Sequence, residues 1–203
     1  MRFNNLEPRA PYVNNSAGGD RAVTESPWNF NYGTLGAAND VLIAIDNGVE
    51  VPNGETAKYK ALAQFTQAAS LANIAILFDQ GFVVDEKSAG TTPVFKKYPE
   101  VSAAAMTKWD ALIASLSGKN ETYDVSVIPI AAGPMTSAML SRMANTMAAR
   151  TLVYTARTPT ENAAVNWAKV VSYAEKGLSG TAGAGAPYDF TVVGDNNNWY
   201  SYI

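Results

Sequence analysis

Residues 57–81, AKYKALAQFTQAASLANIAILFDQG, constrain the fold more than any other stretch of this chain. The run is alanine-rich and apolar, yet it carries Lys58, Lys60, Gln64, Gln67, Asn73 and Asp79. A bilayer-spanning helix needs about 20 mostly apolar residues with few charges, and each mid-bilayer Lys or Asp costs about 2.5–3.5 kcal/mol. The pattern therefore predicts a helix over about 55–80 that packs inside a protein. Leu62, Phe65, Ala69, Ala72 and Ile76 recur at spacings of three and four, which draws one apolar stripe. Leu71, Ile74, Ala75 and Leu77 draw a second, so most of the circumference is expected to be buried. Gly81 stands where a left-handed residue would end such a helix. Asp79 lies at its C-terminal end, where the helix dipole disfavours a carboxylate, so it calls for a partner.

The rest of the chain repeats this kind of segment. A helix is predicted from Pro27 to Asp46, with Ser26 as cap and Pro27 at the first helical position; Leu35, Ala38, Leu42 and Ile45 form its inner face and Asn47-Gly48 ends it. Pro52-Asn53-Gly54 reads as a turn. After a loop over 82–98, with Pro93 and Pro99 as breakers, a third helix is expected over about 100–116, striped by Ala105, Trp109, Leu112 and Leu116 and closed by Ser117-Gly118. Val125–Ala132 is a short apolar piece interrupted by Pro129, which would confine a strand there to an edge. A fourth helix, 135–156, is striped by Met139, Met143, Met147 and Leu152. The fifth starts at the capping box Thr158-Pro159-Thr160-Glu161 and runs through Trp167, Val170, Val171 and Ala174 to Leu178. Trp109 and Trp167 are both expected in the core. The predicted fold class is mainly α: helical hairpins stacked as in tetratricopeptide repeats, with long loops. One domain spans 1–203, divided into a loop-rich segment 1–26, a helical core 27–178 and an irregular segment 179–203.

Composition narrows the chemistry. The 203 residues suffice for one sizeable core. A net charge of −3 with no basic stripe argues against nucleic-acid binding. Cysteine and histidine are both absent, which removes disulfides, thiolate zinc sites, cysteine nucleophiles, imidazole ligands and Ser-His-Asp catalysis. Asp85-Glu86 is no glycosidase pair, because neighbouring carboxylates seldom reach the separation of about 5–9 Å that such chemistry needs; a solvated loop is expected there. The run Asp195-Asn196-Asn197-Asn198 lacks the glycine and distant glutamate of a calcium loop and reads as a turn. No metal, no cofactor and no catalytic constellation is expected. The polar opening MRFNNLEPRAPYVNNSAGGDR and the apolar ending NNNWYSYI suggest a piece of a longer chain. No signal peptide is visible.

Several stretches, taken in order, resemble the RagB/SusD family of outer-membrane nutrient-binding proteins. They are Trp28, Tyr32 and Asn39; then Ala57-Lys58-Tyr59, Ala61-Leu62-Ala63 and Phe65; then Leu77-Phe78-Asp79-Gln80-Gly81; then Met143-Ala144-Asn145, Ala148-Ala149-Arg150; and Trp167, Val171 and Ala174. The resemblance covers roughly residues 27–178. Asp79-Gln80 stands where the family places glycine directly after Leu-Phe, and the family's lipoprotein cysteine and much of its C-terminal half have no counterpart here. The resemblance implies a non-enzymatic capture protein at the bacterial outer membrane, working with a TonB-dependent transporter and holding an oligosaccharide or peptide in loops around a helical scaffold. For a glycan, aromatic faces and amide or carboxylate groups supply the contacts. The N-terminal loop offers Tyr12, Asn14, Asn15, Arg21 and Trp28, and the C-terminal segment offers Asp195, Asn196, Trp199 and Tyr200. The alternative is a non-catalytic helical scaffold, an accessory subunit of a larger, membrane-associated assembly.

Overall fold

The computed structural model describes residues 21–88, 90–123 and 135–178. Within them the chain is mainly helical: α1 (Ala22–Asp46), α2 (Thr56–Leu77), α3 (Tyr98–Leu116), α4 (Ser137–Tyr154), α5 (Pro159–Ala164) and α6 (Trp167–Glu175). Two short antiparallel ribbons accompany them. Strand β1 (Gln80–Phe82) pairs with β2 (Phe95–Lys97), and β3 (Thr122–Tyr123) pairs with β4 (Met135–Thr136). Among the described residues no helix is long and apolar enough to cross a membrane. The predicted apolar piece Val125–Ala132 lies outside the described residues.

Each long helix packs on the next in sequence, α1 on α2, α2 on α3, α3 on α4, and α4 on α6. Helices α1 and α2 run antiparallel in a register fixed by two polar contacts. Asn39 Oδ1 accepts from Gln67 Nε2 at 2.7 Å, and seven residues further along α1 Asp46 meets Lys60 at 2.7 Å. Two apolar clusters follow. Leu35 of α1, Leu71, Ala72, Ile74 and Ala75 of α2, and Val101 and Ala105 of α3 form one. Trp109, Leu112 and Leu116 of α3 join Leu140, Ala144 and Ala148 of α4 and Val170 and Tyr173 of α6 in the other. The alanines at these crossings let backbones come close enough for the larger side chains to interdigitate.

The predicted α3 stripe, Ala105, Trp109, Leu112 and Leu116, is buried as expected. So are Leu35, Ala38 and Leu42 of α1. Gly48 and Gly118 take positive φ at the ends of α1 and α3, the conformation that glycine adopts without strain. Several expectations are corrected. Helix α1 begins five residues before Pro27, since Arg21 O accepts from the Thr24 and Glu25 amides and an Arg21–Glu25 ion pair of 2.6 Å braces the first turn. Pro27 is therefore the sixth residue of the helix, beyond the amides that lack an intrahelical acceptor, so Val23 O forgoes the donor that another residue would supply there. Pro99 opens α3 rather than breaking the chain before it, as its fixed φ suits a first turn.

Gly81 is not a helix terminator. Helix α2 ends at Leu77, Phe78 is extended at φ −123°, and Gly81 is a buried β1 residue. A Cβ there would lie 2.5 Å from Ile74 Cγ2 and 3.0 Å from Tyr32 Oη, so glycine is needed for close approach, not for a left-handed turn. The predicted fifth helix is two helices. Val165 (ψ 134°) is extended, and the Asn166 side chain accepts from Lys169 N at 3.0 Å, restarting the helix as α6.

The stripes of the last helices are also offset. In α4 the buried line is Leu140, Ala144, Ala148 and Thr151, while Met139, Met143, Met147 and Leu152 are partly buried on its flanks. In α6 Val170 and Tyr173 face the core, and Trp167 is 44% exposed with its Nε1 donating to Asn162 O. Trp167, Val171 and Ala174 share one face of α6, and that face is exposed, whereas Val170, Tyr173 and Gly177 line the buried one.

Candidate functional site

Two features stand out around α1 and α2. The first is a junction at the C-terminal end of α2. Trp28 packs against Tyr32 (ring centroids 4.6 Å) and edge-on against Phe78 (5.0 Å), and Phe82 of β1 stacks on Phe95 of β2 at 4.1 Å. Tyr32 Oη donates to Phe82 O and accepts from Phe82 N. Burial raises the Tyr32 pKa above the ordinary phenol value, although its contact with the Phe82 backbone opposes the shift. The Arg157 guanidinium closes the junction from the α4–α5 connection. It donates to Asp79 Oδ1, to Phe78 O at 2.7 Å and to Ala75 O at 2.8 Å, and lies 3.9 Å over the Tyr98 ring. Asp79 thus has the partner that its place at the helix end required.

The second feature is a polar cleft of about 490 Å³ bounded by α1, α2, α3 and the loop after β1. Asp46, Lys60, Gln67, Asp85, Glu86 and Lys108 supply its polar wall. Lys108 Nζ lies 3.0 Å from Asp85 and 3.1 Å from Glu86. Glu86 Oε2 also accepts from Gln67 Nε2, and the same amide nitrogen donates to Asn39. Asp85-Glu86, expected in a solvated loop, is instead half-buried and drawn onto α3 by one ammonium. A lysine placed one turn past Ala104 on α3 attracts both carboxylates, because burial makes an unpaired charge costly.

Both carboxyls titrate below their ordinary values. Burial pushes them up, but hydrogen bonds outweigh it, from Lys108 and Ser88 to Asp85 and from Gln67, the Glu86 backbone and Lys108 to Glu86. Groups with depressed folded pKa values add stability above the unfolded carboxylate pKa, and lose it as pH falls through the folded values. Urea unfolding should therefore be insensitive to these groups between about pH 5 and 7, and the stability they confer should decline below about pH 4. Solvent still reaches these side chains, 15–24% exposed, and its screening holds that decline to about 1 kcal/mol. In Lys108→Met this component of the acid decline should shrink; an unchanged acid limb would show that the carboxylates are held by other groups.

Of the residues expected to bind ligand, Trp28 is placed at the aromatic junction, and Arg21 is ion-paired to Glu25 at the start of α1. Tyr12, Asn14, Asn15, Asp195, Asn196, Trp199 and Tyr200 lie outside the described residues. Sequence reasoning missed the cleft. Its signal was Gln67, an amide on the buried face of an apolar helix (1% exposed), which demands a buried partner. Asn39 one helix earlier was that partner. Among the described residues no group of three or more Asp or Glu is arranged to hold a metal ion. Compared with protein families, curated proteins and solved structures, the chain shows no match.

Proposed function

We propose that this chain is a non-enzymatic capture protein of the RagB/SusD type, holding an oligosaccharide or peptide for a TonB-dependent transporter at the outer membrane, without a cofactor. What supports the reading is one observation. Some of the residues that carry the resemblance, Trp28, Tyr32, Phe78 and Gly81, lie far apart in sequence and meet in space at one junction. Trp28 and Tyr32 close on Phe78 and Phe82, Asn39 Nδ2 reaches Val84 O at 3.4 Å, and Asp79 is gripped by Arg157. Serial packing of α1 to α4 is compatible with stacked helical hairpins, the scaffold that the resemblance implies. Trp28 is the aromatic offered to a ligand, braced by the rings of Tyr32, Phe78, Phe82 and Phe95.

The test is binding of the purified protein to an array of oligosaccharides and peptides, alongside co-purification of a TonB-dependent transporter from outer-membrane extract. Saturable binding that falls in Trp28→Ala, with the transporter retained, is the expected result. Absence of both ligand and transporter overturns the reading. Trp167 and Val171, one turn apart on α6 and both exposed, favour the second reading, an accessory scaffold subunit. In that case co-purification of a protein partner would depend on Trp167, with no small ligand bound.

A further inference from the structure

The polar cleft has a charge layout of its own, independent of the capture reading and of Trp28. At one end two carboxylates, Asp85 and Glu86, share the single ammonium of Lys108, which leaves an excess of negative charge. At the other end Asp46 is paired with Lys60 and also lies in the field of Lys87, which leaves an excess of positive charge. The two ends are anchored on α2 at Gln67 and Lys60, seven residues apart, a rise of about 10 Å along the helix. Gln64 lies between these anchors in sequence and also lines the cleft. Among the described residues the Gln64 amide and the Lys87 ammonium have no hydrogen-bonding side-chain partner. Leu42 and Ala111 add apolar wall, and no lining residue is aromatic.

The geometry points to a binding site for a small zwitterion whose ammonium and carboxylate stand about 10 Å apart, the ammonium toward Asp85 and Glu86 and the carboxylate toward Lys60 and Lys87. The cavity volume of about 490 Å³ falls within the usual range for small-molecule sites, about 300–1,000 Å³. Lack of an aromatic face disfavours a stacked sugar ring. The internal ion pairs do not block such a ligand. Two carboxylates that face one Lys108 ammonium keep acceptor capacity for a second cation, and the Asp46–Lys60 pair, 41–47% exposed, is weak enough for an incoming carboxylate to exchange into it. Two sources share this chemistry. An extended free tripeptide spans about 10 Å between its ends, and an ω-amino acid of similar length presents the same two charges on an aliphatic chain.

Isothermal titration of the full chain at pH 7 and low salt separates the outcomes, with trialanine, ω-aminooctanoate, N-acetyl-trialanine, trialanine amide and maltotriose as probes. The expected result is saturable binding of at least one of the two zwitterions, weakened by about tenfold when either end is blocked. Lys87→Met should weaken carboxylate-bearing probes by about five- to tenfold without changing the helical circular dichroism, because Lys87 is exposed and outside the ion pairs of the described residues. Binding of trialanine alone assigns the site to peptide ends, and of ω-aminooctanoate alone to an aliphatic zwitterion; either supports the proposal. Absence of binding by both zwitterions overturns it, as do blocked analogues that bind equally well, affinity unchanged in Lys87→Met, or displacement of the zwitterion by maltotriose. The array experiment with Trp28→Ala reads a different site, so capture function can fail while the cleft binds, and the reverse.

Discussion

Trp109→Ala should destabilise the fold by about 3–5 kcal/mol, the range for removing a large aromatic from a packed core. Trp109 is 0% exposed and sits where α2, α3 and α4 converge. Its ring meets Phe65 of α2 edge-on at 5.1 Å, and its Nε1 donates to Thr151 Oγ1 of α4 at 3.3 Å. The alanines lining this crossing, Ala68, Ala144 and Ala148, are too short to move into the void. A cavity left open adds its own cost to the lost transfer energy. Trp109→Phe should cost less, about 1–2 kcal/mol, because the Thr151 hydroxyl keeps its bond to Met147 O. Trp167→Ala, at the surface of α6, should stay within about 1 kcal/mol. Urea unfolding followed by helical circular dichroism orders the three. Equal losses for Trp109→Ala and Trp167→Ala would overturn the assignment of α3 as the centre of the core.

These two tryptophans also show what could be read from the chain before its structure. Both sat on apolar stripes, and only one is buried. Trp109 belongs to an unbroken helix, where a period of 3.6 extrapolates reliably from Ala105 to Leu116. Trp167 opens the short α6 on the face it shares with Val171 and Ala174, and α6 turns its other face, Val170 and Tyr173, inward. Apolar residues stand on both faces of α6, so periodicity alone does not select between them. In α4 the larger methionines drew attention, whereas close contact with α3 selects the smaller Ala144 and Ala148. Size and hydrophobicity rank residues for burial, but the helix separation decides which line faces in.

The sites divide in the same way. The caps at Thr158 and the turn glycines Gly48 and Gly118 were legible because their chemistry is local. Gly81 was misread for the opposite reason: what excludes a side chain there is Ile74 seven residues earlier and Tyr32 from another helix. The cleft joins Asn39, Gln67, Glu86 and Lys108, four residues whose partnership exists only after α1, α2 and α3 are packed. Their types were visible as polar residues beside apolar stripes, but their pairing was not.

Arg157→Ala should cost about 2–3 kcal/mol, while Asp79→Ala should cost less than about 0.5 kcal/mol. The contrast separates two roles that one guanidinium combines. Asp79 is 91% exposed, so its ion pair with Arg157 is solvated and worth little. The same guanidinium, 27% exposed on its side chain, takes the carbonyls of Ala75 and Phe78 at the end of α2. Helix-terminal carbonyls lack intrahelical donors, and a cation there also suits the dipole. Arg157 is positioned for this by its own backbone: Arg157 N donates to Glu161 Oε2 at 2.8 Å, and the other oxygen of Glu161 accepts from Tyr98 Oη, beneath the guanidinium. Tyr98 opens α3 and Glu161 caps α5, so one side chain joins the ends of α2, α3 and α5. Arg157→Lys should recover less than half of the loss, since one ammonium cannot present a planar fork to two carbonyls while covering a ring. If Asp79→Ala proves as damaging as Arg157→Ala in urea unfolding, the ion pair rather than the helix cap holds the junction. The unequal losses predicted here would instead explain how a carboxylate can stand at the end of α2: the arginine that serves the helix end also neutralises it.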